Sequence, residues 1–98
     1  MIDFQNIQTH NWGSTRISII GAGKSGIAAA NLGQHLGSQV FISDSNDSPD
    51  IQRNVENFEH ETGRHSNKVL DAHLIVISPG VPDHIPIIQE CQHRNIPI

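Results

Sequence analysis

The chain has 98 residues, ten acidic and six basic side chains, a formal net charge of -4, seven histidines and one cysteine. That length supports one domain with one core, so chemistry requiring a cleft between two domains must draw on residues outside it. The acidic balance gives no electrostatic footprint for nucleic acid or an anionic membrane, and both are excluded as expected partners.

The start, MIDFQNIQTH, lacks the basic opening and apolar core of a signal peptide, and no apolar run reaches spanning length. A soluble, cytoplasmic protein is the expectation. Cys91 has no second cysteine to pair with, which agrees with a reducing compartment. The histidines stand at positions 10, 35, 60, 65, 73, 84 and 93. None has the i, i+4 spacing or the neighbouring cysteine pair that zinc sites use, so all are read as surface or structural, and no metal is expected.

Residues 1–15 are polar, with Ile2, Phe4, Ile7 and Trp12 scattered through them, and read as an N-terminal arm tacked onto a domain spanning 16–98. RISII, Arg16 to Ile20, is a β-branched run stopped by glycine, the pattern of a buried parallel strand. Lys24 to Leu36 reads as a helix with an apolar stripe at Ile27, Ala28, Leu32 and Leu36, closed by Gly37 as its C-terminal glycine. QVFIS, Gln39 to Ser43, is a second strand ending at Asp44. A charged helix from about Asp50 to Glu61 follows, with Ile51, Val55 and Phe58 on one face, and then a weak strand near Gly63 to Ser66. HLIVIS, His73 to Ser78, is the strongest strand pattern in the chain. SPGVPD breaks it, Pro86 opens a helix running to about His93, and NIPI begins another extended segment. Stopping at the opening of a strand suggests a cut within a longer protein.

Strands alternating with helices at this spacing predict a single-domain, open α/β fold of Rossmann type: a parallel sheet with right-handed crossovers and flanking helices. Ligands of such sheets bind at the carboxyl ends of the strands, where the strand order reverses. Those ends carry Gly21 to Gly26, Asp44 to Asn46, and Ser78 to Gly80.

IIGAGKSG raises two phosphate-binding readings. A nucleotide-triphosphate P-loop needs a glycine five positions before Gly23, where this chain has Ser18, inside the first strand. Gly-x-Gly-x-x-Gly fits fully at Gly21, Gly23 and Gly26, between a strand and a helix. Gly21 permits the tight turn, Gly23 lets backbone approach a diphosphate, and Gly26 lets the helix pack on the strand. Phosphate would meet free N–H groups at the helix start. Asp44, at the end of the second strand, is placed to accept a hydrogen bond from a ligand hydroxyl or base N–H. Lys24 either screens phosphate charge or points into solvent, and Ser25 offers a hydroxyl to phosphate or serves as a polar first-turn residue. Ser78, Pro79 and Gly80 offer a hydroxyl and an uncrowded N–H to a ligand lying across the crevice, or form a purely structural turn.

GAGKSGIAAA, VFISD, DAHLIVISPGVPDHIP and NIPI together resemble the N-terminal domain of a Mur ligase, and among those ligases the D-glutamate-adding member, over Arg16 to Ile98. The resemblance implies a domain binding the UDP part of UDP-N-acetylmuramoyl-L-alanine in cell-wall precursor synthesis. Gly23, Lys24 and Ser25 would lie near the diphosphate, Asp44, Ser45 and Asn46 near the uracil, and Ser78, Pro79 and Gly80 along the ligand's other side. It also implies that ATP and magnesium are used by central and C-terminal domains that this chain lacks. The fragment would then carry no cofactor or catalytic residue of its own and be inactive alone. The other functional classes are an NAD-binding domain of an oxidoreductase, with Asp44 on a ribose hydroxyl, and a nucleotide sensor without chemistry.

Overall fold

The computed structural model describes residues 12–82 and 84–98. Of the four apolar residues read as tacking down the arm, Ile2, Phe4 and Ile7 lie outside these residues. Trp12 is buried in the core, at the start of a 3-10 turn over Trp12–Ser14. That turn is anchored through the Trp12 carbonyl, which accepts from Thr15 N–H at 3.1 Å and from the Ser38 hydroxyl at 2.8 Å.

Four strands form one all-parallel sheet: β1 (Arg16–Ile20), β2 (Gln39–Asp44), β3 (Glu59–Thr62) and β4 (Leu74–Ile77), in the order β3-β2-β1-β4. Three helices connect or follow them: α1 (Lys24–His35), α2 (Pro49–Val55) and α3 (Pro86–His93). The chain therefore lays β2 and β3 on one side of β1, then crosses back to place β4 on the other. Ile17 pairs with Val40 on one side and Leu74 on the other, which fixes β1 as a central strand. Ile17, Ile19, Val40 and Ile42 pack in one cluster with Ala30 and Val55, whereas Ile20 and Ile75 pack in the other with Val69, Ile87, Ile88 and Cys91. Burial on both faces explains why these strands read as apolar runs and not as an alternation.

The first strand, the last helix and the glycine stop of α1 lie where the sequence predicts them. Gly37 has φ +90°. Its N–H donates to Gln34 C=O at 3.0 Å, and Ser38 N–H donates to Gly33 C=O at 2.9 Å. This pair of bonds is the Schellman arrangement, which closes the open carbonyls of a helix end.

Three expectations are corrected. The apolar stripe of α1 holds at Ile27 and Leu36, which pack on the core, but not at Ala28, which is exposed, or Leu32, which is 53% exposed, while Gly26, Ala30 and Gly33 are buried. Small residues at i, i+4 and i+7 bring the helix backbone close. A Cβ at Gly33 would stand 3.0 Å from Val40 Cγ2.

The second helix ends at Val55 and does not continue to Glu61. Its start is fixed by Pro49 at the first position and by Ser48, whose Oγ accepts from Ile51 N–H at 3.4 Å. Phe58 N–H then closes a turn on Val55 C=O at 2.9 Å. The face expected from Ile51, Val55 and Phe58 does pack on the core.

The third strand lies at Glu59–Thr62 and not at Gly63–Ser66. It pairs Phe41 with Glu59 and Asp44 with Thr62. As an edge strand it needs backbone pairing on one side only, so charged residues are tolerated there and discourage pairing with other chains. Gly63, with φ +86°, turns the chain away, and a 3-10 turn follows at Asn67–Leu70.

Of NIPI, expected to be extended, Asn95 belongs to the turn that closes α3, with φ +58°, and Pro97 lies beside β4, its C=O accepting from Ile75 N–H at 2.8 Å.

Candidate functional site

The order β3-β2-β1-β4 places the reversal between β1 and β4, and both strands end at one rim of the sheet. A cleft of about 390 Å³ opens there, lined by the glycine turn after β1, Asp44 after β2, Ile51 of α2 and the Ser78–Val81 turn after β4.

The turn is built from backbone. Gly21 has φ +102°, and its N–H donates to Ser43 C=O at 2.9 Å, so the chain leaves β1 still tied to β2. A Cβ at Gly26 would stand 1.9 Å from Gly21 O, and only glycine allows the first turn of α1 to cross so close to the strand end. A Cβ at Gly23 would meet no atom within 4 Å. The requirement at position 23 is therefore not imposed by the protein's own packing, and the space beside it faces the cleft.

Three side chains from different elements hold this turn. Asp44 Oδ2 accepts from Ala22 N–H at 2.7 Å, and its Oδ1 accepts from Asn46 N–H at 2.8 Å. Ser78, buried, donates through Oγ to Gly21 C=O at 3.0 Å, while its own N–H donates to Ile20 C=O at 2.9 Å. Asn54 of α2 donates through Nδ2 to Ala22 C=O at 2.9 Å.

With its carbonyls and Ala22 N–H occupied, the turn delivers α1 to the cleft with Gly23 as N-cap and no side-chain cap. The first intrahelical bond runs from Ile27 N–H to Gly23 C=O at 3.0 Å. The uncapped N–H groups of a helix start favour negative charge, and here they open on the cleft. Lys24 and Ser25 are exposed at its mouth.

Of the nine residues singled out in the sequence, seven line this cleft: Gly23, Lys24, Ser25, Asp44, Ser78, Pro79 and Gly80. Ser45 lines an adjoining cleft. Asn46 is exposed and folds back on its own loop, its Oδ1 accepting from Ser48 N–H at 2.9 Å. Ser78 acts first on the protein itself, since its hydroxyl proton is directed at Gly21. Pro79 and Gly80 complete a turn closed by Val81 N–H to Ser78 C=O at 3.2 Å, with Gly80 at φ +91°.

Sequence reasoning missed Asn54, whose contact with Ala22 spans 32 positions and has no local signature. It also missed the polar cluster behind the adjoining cleft. Ser43, fully buried, donates to Glu61 Oε2 at 2.7 Å and lies 2.7 Å from His65 Nδ1. Glu61 Oε2 accepts from Ser66 N–H at 2.7 Å, and Ser66 Oγ donates to Glu61 Oε1. Burial pushes the Glu61 carboxyl up, but hydrogen bonds from Ser66 and Ser43 and the field of His65 outweigh it and hold the group below its usual range. Burial pushes the His65 imidazole below its ordinary value, with the Asp44 and Glu61 carboxylates opposing. His60 and His73 have the structural role expected of them, each bonded to backbone: His60 Nδ1 to Phe58 O at 2.8 Å, and His73 Nδ1 accepting from Arg16 N–H at 2.9 Å.

Among the described residues no helix is long and apolar enough to cross a membrane.

Residues 15–98 match the family model described as Mur ligase MurD-like, N-terminal domain. Among curated proteins, the chain is similar to UDP-N-acetylmuramoylalanine--D-glutamate ligase of Elusimicrobium minutum, 43% identical over 81 residues, which is 82% of this chain and 18% of that protein. It is 41% identical over 88 residues to the ligase of the same description from Chlorobium phaeobacteroides, covering 85% of this chain and 18% of the relative. With that of Pelodictyon phaeoclathratiforme it shares 43% identity over 91 residues, again 85% and 18%. The chain thus spans about a fifth of the length of these relatives.

Proposed function

Because this chain belongs to the MurD-like N-terminal domain family of the Mur ligases, we propose that its cleft holds the UDP moiety of UDP-N-acetylmuramoyl-L-alanine for a D-glutamate-adding ligase of peptidoglycan precursor synthesis. The observation that carries this reading is the uncapped start of α1, opening with Gly23 into a cleft at the point where the strand order reverses.

In this reading the diphosphate lies against the N–H groups of the first turn of α1, with Gly23 leaving room for it. Lys24 supplies a positive charge and Ser25 a hydroxyl. Asp44 holds Ala22 in place and, with Ser45 and Asn46, faces the uracil end; a carboxylate accepting two bonds retains lone pairs for a third. Ser78 fixes Gly21, and Pro79 and Gly80 border the ligand's other side. The chain's own contribution is to bind and orient. Phosphorylation of the substrate carboxylate by ATP with magnesium, and attack by the amine of D-glutamate on the acyl phosphate, belong to other domains of the ligase, and the 98 residues alone do not ligate. The protein works in the cytoplasm, where nucleotide-linked precursors and ATP are both present. The oxidoreductase reading finds no support: the relatives are ligases by description.

An amide-shift NMR titration with UDP, UDP-N-acetylmuramoyl-L-alanine, NAD and ATP in parallel tests this. Saturable shifts at Gly21 to Gly26, Asp44 to Asn46 and Ser78 to Gly80 with both uridine ligands, and none with NAD, are expected. Affinity is expected to be weaker than for a whole ligase, because only part of the ligand is held. Saturation by NAD without a uridine response overturns the reading.

A further inference from the structure

A second cleft, of about 410 Å³, adjoins the first and shares Gly21, Asp44, Gly80 and Val81 with it. A ligand with phosphates on the glycine turn reaches it without leaving the surface. One wall is apolar, formed by Val81, Pro82 and Ile85; the other is polar, formed by Asp44, Ser45 and His65. Such a slot suits a flat heterocycle with polar edges.

The chemistry of the polar wall follows from a proton count. Ser43 Oγ lies 2.7 Å from both Glu61 Oε2 and His65 Nδ1 and carries one hydrogen. An ionised carboxylate only accepts, so that hydrogen goes to Glu61. The bond between Ser43 and His65 then needs its hydrogen from the ring, which places the imidazole proton on Nδ1. In the neutral ring the other nitrogen, Nε2, is left as an acceptor. Nδ1 is tied to Ser43 behind the cleft, and Nε2 is the polar atom His65 has to offer within it.

We propose that His65 is a specificity-determining residue: its Nε2, held as an acceptor by the Glu61–Ser43–His65 relay, selects a nucleobase edge that donates N–H, as uracil does at N3, over one that accepts there, as cytosine does. The inference rests on the proposed nucleotide reading of the first cleft and adds the group that tells one pyrimidine from the other. Cytosine would set its N3 lone pair against that of Nε2, leaving both without a hydrogen.

Binding of UDP and CDP, which carry the same phosphates, isolates the base. The chain is expected to favour UDP by roughly tenfold or more, the scale of an unmet polar pair in a semi-enclosed site. His65→Phe keeps a ring and removes the acceptor; it should bring the two affinities to within about twofold while shifts at Gly21 to Gly26 persist. The tautomer is read on the unmodified chain by imidazole 15N shifts, with Nδ1 protonated, Nε2 bare, and Nε2 moving on addition of UDP. A hydrogen on Nε2, or a UDP preference unchanged in His65→Phe, overturns the inference and leaves the UDP reading standing. Absence of any uridine response at the glycine turn overturns both.

Discussion

The turn after β1 and the polar cluster behind β3 both shape the ligand face, and they are made in opposite ways. The turn is a backbone object. Gly21, Gly23 and Gly26 fall within six consecutive positions, and local sterics decide what is allowed there: φ +102° at Gly21 and a 1.9 Å approach at Gly26. The cluster is a side-chain object. Ser43, Glu61, His65 and Ser66 come from a strand, its neighbour and the loop beyond, and they meet only because β3 pairs in register with β2. Geometry in the first is set by excluded volume at Gly21 and Gly26, with bonds from Asp44, Ser78 and Asn54 added to it. In the second it is fixed by protons, and these can be removed or added.

The sharpest way to break this comparison is at Gly26. Alanine there has a helix-propensity advantage of about 1 kcal/mol over glycine, but its Cβ meets a backbone oxygen that cannot rotate away. Overpacking dominates, and Gly26→Ala should cost about 3 kcal/mol in urea denaturation. A neutral or stabilising result would show that the turn is not sterically locked.

At the cluster the expected effect is smaller and depends on pH. Ser43→Ala should cost about 1–2 kcal/mol near neutrality, because a buried donor is lost and His65 Nδ1 is left unmet. Glu61 is held below its usual 4.5, so its contribution is complete above that value and is lost as pH falls through the folded pKa. His65 is held below its usual 6.5; the unfolded chain takes up that proton first, so stability also falls as pH drops below 6.5. Urea midpoints across this range should decline on acidification, and the part lost below 4.5 should be smaller in Ser43→Ala, since Glu61 has one donor fewer. A decline of the same depth in both proteins would remove Ser43 from the linkage.

The smallest change in stability is expected at Gly23. Position 23 caps α1 and its side-chain space is open, so Gly23→Ala should cost less than about 1 kcal/mol, the scale of an N-cap preference. It should nevertheless weaken UDP binding, because the added methyl occupies the cleft. Gly23 and Gly26 then separate a glycine that serves a ligand from one that serves the fold.

What the sequence made legible follows the same division. β1, α1, the glycine cap at Gly37, the proline start of α3 and the three strand ends that line the cleft each announce themselves in a short stretch: a β-branched run, a glycine or a proline. Their signals are therefore local. The stripe of α1 is legible at Ile27 and Leu36 and not elsewhere, because the buried positions Gly26, Ala30 and Gly33 carry little or no apolar weight, whereas Leu32 carries much and faces outward. The boundary between α2 and β3 was misread because EHET is polar, and an edge strand draws its stability from a neighbour's backbone that its own composition does not reveal. Asn54 and His65 were invisible as site residues for a related reason. Their partners are distant in sequence, and histidine spacing tested against metal geometry says nothing of a tautomer set by a serine.

The two borders of the sheet differ in a way that bears on assembly. At β3 the exposed residues are Glu59 and His60, whose polar side chains discourage a further strand on that border. At β4 one further backbone bond is made, Ile75 N–H donating to Pro97 C=O at 2.8 Å. The two borders are thus unlike: one is guarded by polar side chains and the other is partly occupied by the chain's own backbone, and growth of the sheet from both at once is disfavoured.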